Sequence, residues 1–126
     1  MKRGKKNIAR KIFRDMLKNI AEKEKLPEKV FEKAIEMIRP ALEVRAKRIG
    51  GAVYQIPVEV RPERQTMLAF RWLLLGARAK KGAPIAKKLS DEILAAIAGE
   101  GSAIKKKDDT VRMAQANKAF AHFAKY

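Results

Sequence analysis

The chain has 126 residues, with 30 Lys and Arg against 14 Asp and Glu, so its formal net charge is +16. Self-repulsion on that scale opposes compaction and points to a polyanionic partner, nucleic acid first and a membrane surface second. The chain has no cysteine, which excludes disulfides and thiolate metal sites. It also lacks an apolar run near the roughly 18 residues that a membrane-spanning helix needs.

A basic lead, MKRGKK, is followed from Asn7 by a helical pattern. Ile8, Ile12, Phe13, Met16, Leu17 and Ile20 recur on the inner face, and Arg10, Lys11, Arg14 and Lys18 on the outer. That basic face adjoins Lys2, Arg3, Lys5 and Lys6 and reads as a surface for phosphates. The lead is charged but carries no apolar stretch of the secretory kind, so a soluble protein is expected. Pro27 suits the first turn of a second helix, with Val30, Phe31, Ala34, Ile35 and Ile38 inward. Glu28, Lys29, Glu32, Lys33 and Glu36 alternate on its outside and are expected to form opposite-charge pairs of structural value. Pro40 ends it.

Leu42 to Arg64 then reads LEVRAKRIGGAVYQIPVEVRPER, two strand-like runs on either side of Gly50-Gly51. Leu42, Val44 and Ala46 alternate with Glu43, Arg45 and Lys47, while Tyr54, Ile56, Val58 and Val60 alternate with Gln55, Pro57 and Glu59. A two-residue turn opposes Val44 to Pro57 and mixes the apolar faces. A three-residue loop, Gly50 to Ala52, opposes Val44 to Val58 and is therefore expected. An isolated hairpin is marginal in water, so its base must rest on helices or its tip on a partner.

Arg61-Pro62 starts a third helix, to about Ala79, with Leu68, Trp72, Leu75 and Ala79 as its stripe and Met67, Phe70, Leu74 and Ala77 widening it. So wide an apolar surface suggests the central helix of a bundle. Arg64, Arg71 and Arg78 recur every seven residues and read as phosphate ligands along its polar side. Lys80-Lys81-Gly82 is a basic turn, and Pro84 opens a fourth helix with Ile85, Leu89, Ile93 and Ile97 inward. Beyond Gly99-Glu100-Gly101 comes the basic run Lys105-Lys106-Lys107, and Asp108 or Asp109 is expected to cap a last helix. That helix is expected to turn Val111, Ala114, Phe120, Ala121 and Phe123 inward. The fold class expected is mainly α: one domain over residues 1–126, about five helices in a bundle, with one β-hairpin arm at about 42–60.

Nothing in the sequence argues for catalysis. His122 is the only histidine, no cluster of metal ligands is legible, and Gly50-Gly51 joins two strands rather than preceding a helix. No cofactor is implied.

These motifs have a family likeness. RPALEVRAKRIGGAVYQIPVEVRPER, LAFRW, KLSDEI and KKKDDTVRMAQANKAFAHF, with GKK near the start, resemble in order the bacterial and organellar type of ribosomal small-subunit protein seven. The resemblance implies a primary binder of small-subunit rRNA in the 3′ major (head) domain, with the hairpin near the exit-site tRNA and the mRNA path. It places Lys5, Lys6, Arg61, Arg64, Arg71, Arg78, Lys105, Lys106, Lys107 and Arg112 on rRNA, the last four as the family's basic turn before the final helix. Lys2, Arg3, Lys80 and Lys81 join them by their charge. It places Lys47, Arg48, Ile49, Gly50 and Gly51 at an arm tip directed to tRNA.

Two departures accompany the resemblance. The chain begins almost at GKK, where the family carries a further basic segment and part of a helix, which favours an organellar ribosome over the bacterial cytoplasm. Gln65 stands where a basic residue is expected. Neighbouring head and platform proteins are the implied protein partners. The rival reading is a DNA-architectural protein that embraces duplex DNA with a basic arm; an RNA-modifying enzyme ranks third.

Overall fold

Residues 6–120 are described by the structure, a computed structural model. The order is α1 (Lys6–Ala21), α2 (Pro27–Ile38), β1 (Leu42–Ile49), β2 (Ala52–Glu59), α3 (Pro62–Ala79), α4 (Ile85–Ile97) and α5 (Ser102–Ala116). This is the expected mainly-α bundle with one two-stranded antiparallel arm. Proline opens α2 and α3, where a missing N–H costs nothing and φ is already helical.

One core joins all five helices. Met16 and Ile20 of α1, Ile35 and Ile38 of α2, Leu68, Trp72 and Leu73 of α3, Leu89 and Ile93 of α4, and Ile104 of α5 meet in it. The central element is α4, which touches all four other helices and runs along α1, α2 and α3. The expectation that α3 is central is corrected. Its buried stripe is Leu68, Ala69, Trp72, Leu73, Gly76 and Ala77, so the seam is rotated from the expected one. Met67, Phe70 and Leu75 are left about half exposed. Ile8 and Phe13 of α1, expected inward, are also about half exposed.

Turn chemistry sets the arm. Gly50 and Gly51 have φ of +58° and +85°, the two left-handed positions of a tight two-residue hairpin turn whose twist matches the strands. Val44 therefore opposes Pro57, Glu43 opposes Val58 and Arg45 opposes Ile56. The expected three-residue loop is overturned. Directly opposed residues share a face, so Glu43, Arg45 and Lys47 lie with Val58, Ile56 and Tyr54. That mixed face carries the buried Ile56 and the mostly buried Glu43, and α5 packs on both strands.

The charged face of α2 also differs from expectation. Steps of four residues join Glu28 to Glu32 to Glu36 and Lys29 to Lys33, which are like charges. Among the described residues none of these five forms an ion pair.

Candidate nucleic-acid interface

The hairpin, α3 and α5 form one connected part of the fold, since α5 packs on α3 and on both strands. Arg64, in the first turn of α3, reaches back to the hairpin base. Its Nε donates to Glu43 Oε1 at 2.7 Å and its Nη2 to Oε2 at 3.0 Å, a bidentate pair. Glu43 raises the guanidinium pKa above its ordinary value, chiefly by accepting these bonds and then by its charge, against desolvation. The pair explains how a mixed hairpin face is tolerated, because its one buried carboxylate is answered. Beside it, Gln65 Nε2 donates to Val60 O at 2.9 Å. The residue found in place of an expected cation thus ties α3 to the end of the arm.

A second carboxylate organises the other end of α3. Glu92 of α4 is fully buried; its Oε1 accepts from Ser102 Oγ and from the Ala103 N–H, both at 3.0 Å. These donors belong to the first turn of α5, where unpaired N–H groups and the helix dipole favour an anion. Lys80, at the C-terminal cap of α3, sets its ammonium 3.3 Å from Glu92 Oε2 as an ion pair without hydrogen-bond alignment. Close approach at this junction requires Gly76: a Cβ there would press on Ser102 Oγ and lie 2.9 Å from Glu92 Oε1.

This junction corrects the expectation for the last helix. α5 begins at Ser102, so Lys105, Lys106 and Lys107 lie on the helix and form no turn before it. Asp108 and Asp109 sit inside α5, and the anion at its N-terminus comes from α4. The helix ends at Ala116, and Phe120, beyond its end, sets its ring against Tyr54 on the arm at 5.3 Å between centroids. Ala121, His122 and Phe123 lie outside the described residues.

The basic residues singled out in the sequence divide by environment. Arg61, Arg71, Arg78, Lys81, Lys105 and Lys106 are exposed, and none forms an ion pair among the described residues. Lys107 is half-buried, and Arg112 lies 3.3 Å from Asp109 on the surface. Arg64 and Lys80 each already face a carboxylate. Lys6 begins α1, which packs on α2 and α4 and is separate from the surface of α3, α5 and arm. Lys2, Arg3 and Lys5 lie outside the described residues. At the tip Arg48, Gly50 and Gly51 are exposed, with Lys47 and Ile49 half-buried. Arg45 is a cation missing from the expected set. Its side chain is 69% exposed on the body-facing side of β1, with Nη2 4.0 Å from Glu43 Oε1. Its alternation with Glu43 and Lys47 was the available signal.

These features define a class: a basic helical body with a charged β-arm and paired carboxylates reserved for structural junctions. The comparisons make the family explicit. The family described as ribosomal protein S7p/S5e matches residues 1–118, and the chain belongs to it. Among similar proteins, small ribosomal subunit protein uS7 of Thermotoga neapolitana is 54% identical over 121 residues, 95% of this chain and 78% of that protein. The uS7 of Pseudothermotoga lettingae is 55% identical over 120 residues, 94% and 77% of the two chains. That of Rhodopirellula baltica is 52% identical over 124 residues, 96% and 79%. The family is ribosomal and structural, without enzymatic activity, and its work is RNA-binding within a ribonucleoprotein for translation.

Proposed function

We propose that residues 1–126 act as a single rRNA-binding domain of the small ribosomal subunit, docking on the 3′ major domain and helping to nucleate assembly of the head. Membership of the ribosomal S7p/S5e family carries this reading. It is supported by unpaired, exposed cations on α5, which packs on the arm, and on α3, which packs on α5 and is tied to the arm by Arg64. Arg61, Arg71, Arg78, Lys81, Lys105 and Lys106 take phosphates directly. Lys2, Arg3, Lys5, Lys6, Lys107 and Arg112 extend the contact, while Arg64 and Lys80 serve rRNA with their outward edges. Binding of this kind reads the shape and charge of folded RNA and releases counterions, so affinity falls as salt rises.

The arm, with Lys47, Arg48, Ile49, Gly50 and Gly51 at its tip, lies near the exit-site tRNA and the mRNA path in this proposal. Neighbouring proteins are those of the head and platform. The similar proteins named above are bacterial, which supports a ribosome in a bacterial cytoplasm. The organellar placement expected from the short start finds no support among them.

The test is binding to a transcript of the rRNA 3′ major domain, against duplex DNA and an unrelated structured RNA, across a salt series. Selective binding to the rRNA that survives physiological salt is expected. Preference for the duplex would establish the DNA-architectural reading instead.

A further inference from the structure

The tie at the base of the arm does more than join two elements. The Glu43 side chain is 12% exposed and that of Arg64 40%, so the carboxylate lies inside while the guanidinium reaches the surface. The bonds to Glu43 engage Nε and Nη2, and Nη1 has no protein partner among the described residues. The end of the guanidinium, Nη1 and the second N–H of Nη2, is left for another acceptor. It can take two oxygens of one phosphate at once.

Arg64 is held at its backbone as well. The next residue, Gln65, donates to Val60 O at 2.9 Å, and the Val60 N–H donates to Ala41 O at 3.0 Å. The first turn of α3 is thus tied to the foot of the arm through consecutive residues. Arg45, two residues along β1 from Glu43, brings its Nη2 to 4.0 Å from the same Oε1. With an arginine on either side of the acid, the patch stays cationic and attracts a phosphate. An arginine free in solvent loses rotamer freedom when a phosphate fixes it, which costs affinity. Arg61, Arg71 and Arg78, without ion pairs among the described residues, bear that cost on binding. Arg64 has met it already, in folding.

We propose that Glu43 is a positioning residue for rRNA. It does not touch the ligand; by holding Nε and Nη2 of Arg64 it aims the end of the guanidinium at one backbone phosphate beside the base of the arm. This rests on the rRNA reading above and adds that an acid on a basic surface raises affinity. Charge alone demands the opposite, since removing a negative group from a chain of net charge +16 strengthens its attraction for a polyanion.

The test measures affinity for the 3′ major domain transcript at one salt concentration. It compares the intact chain with Glu43→Gln, Arg64→Gln and the two together, with a urea melt of each. Glu43→Gln is expected to weaken binding about fivefold while Arg64 is present. With Arg64→Gln already in place, the same change is expected not to weaken it, because no guanidinium remains to be aimed. Equal weakening in both backgrounds is the mark of a merely structural Glu43 and would overturn the proposal. So would a Glu43→Gln chain that binds as tightly as the unaltered one, or more tightly. Should Glu43→Gln fold poorly, Arg64→Lys carries the test, since it keeps the charge and a partner for Glu43 but has no planar fork. It is expected to bind about fivefold more weakly at an unchanged salt slope, and undiminished binding would overturn the proposal. If the unaltered chain shows no preference for the rRNA, the rRNA reading falls and this inference with it. If it binds selectively and only the Glu43 effect is absent, this inference alone falls.

Discussion

At the scale of single residues, two carboxylates do what composition hides. Among the described residues of this strongly basic chain Glu43 and Glu92 are the buried acids, and each is placed to hold one element against another. A double-mutant cycle on Glu43→Gln and Arg64→Gln is expected to give a coupling of about 1 kcal/mol in urea melts, modest because the arginine is partly exposed. Its pH dependence has a definite sign. The Arg64 pKa is raised by folding, so its contribution is complete below arginine's ordinary pKa and is lost only as pH climbs through the raised value. From the arginine side, the coupling should therefore be flat from neutral pH to mild alkali. Gly76→Ala is expected to cost about 2 kcal/mol, read as a lowered urea midpoint, because the new methyl meets Ser102 and the held carboxylate of Glu92. None of these partnerships was legible in sequence. Each joins residues ten or more positions apart, and hydrophobic periodicity is silent about where an acid goes.

Among the elements, local signals were sound wherever local chemistry decides. Prolines fixed the starts of α2 and α3, and the Gly-Gly pair fixed the existence of the hairpin. The register was misjudged because matching of apolar faces was weighed above the backbone twist that two left-handed glycines impose. The start of α5 was misplaced for a different reason. Its capping acceptor comes from α4, so Asp108 and Asp109 looked like the nearest candidates. Glu92→Ala is expected to leave the Ala103 N–H buried without a partner and to destabilise the fold by about 3 kcal/mol. Amide exchange should then accelerate first at the N-terminal turn of α5. Uniform acceleration across α1 and α5 would mean that Glu92 acts on the whole core rather than on the cap.

For the molecule as a whole, the sequence disclosed the basic surface but not its division of labour. Charge counting treats every cation alike, whereas Arg64 and Lys80 face carboxylates and Arg71 and Arg78 do not. Arg71→Gln with Arg78→Gln is therefore expected to lower the slope of log affinity for rRNA against log salt by about 2, leaving the melting temperature unchanged. An unaltered slope would move the RNA contact to another face. The rotated seam of α3 could not be read from one helix either, because which apolar residues are covered depends on how α4 lies beneath it.

The contact of α5 with the arm also bears on the order in which the protein is made. A growing chain folds from its N-terminal side as it is synthesised, and residues 42–59 emerge well before residues 102–116. A lone two-stranded hairpin has little stability of its own. The helix that covers Ile56, and the Phe120 ring set against Tyr54, arrive last. The arm is thus translated early and steadied late, and a nascent chain halted before α5 carries its strands without their support.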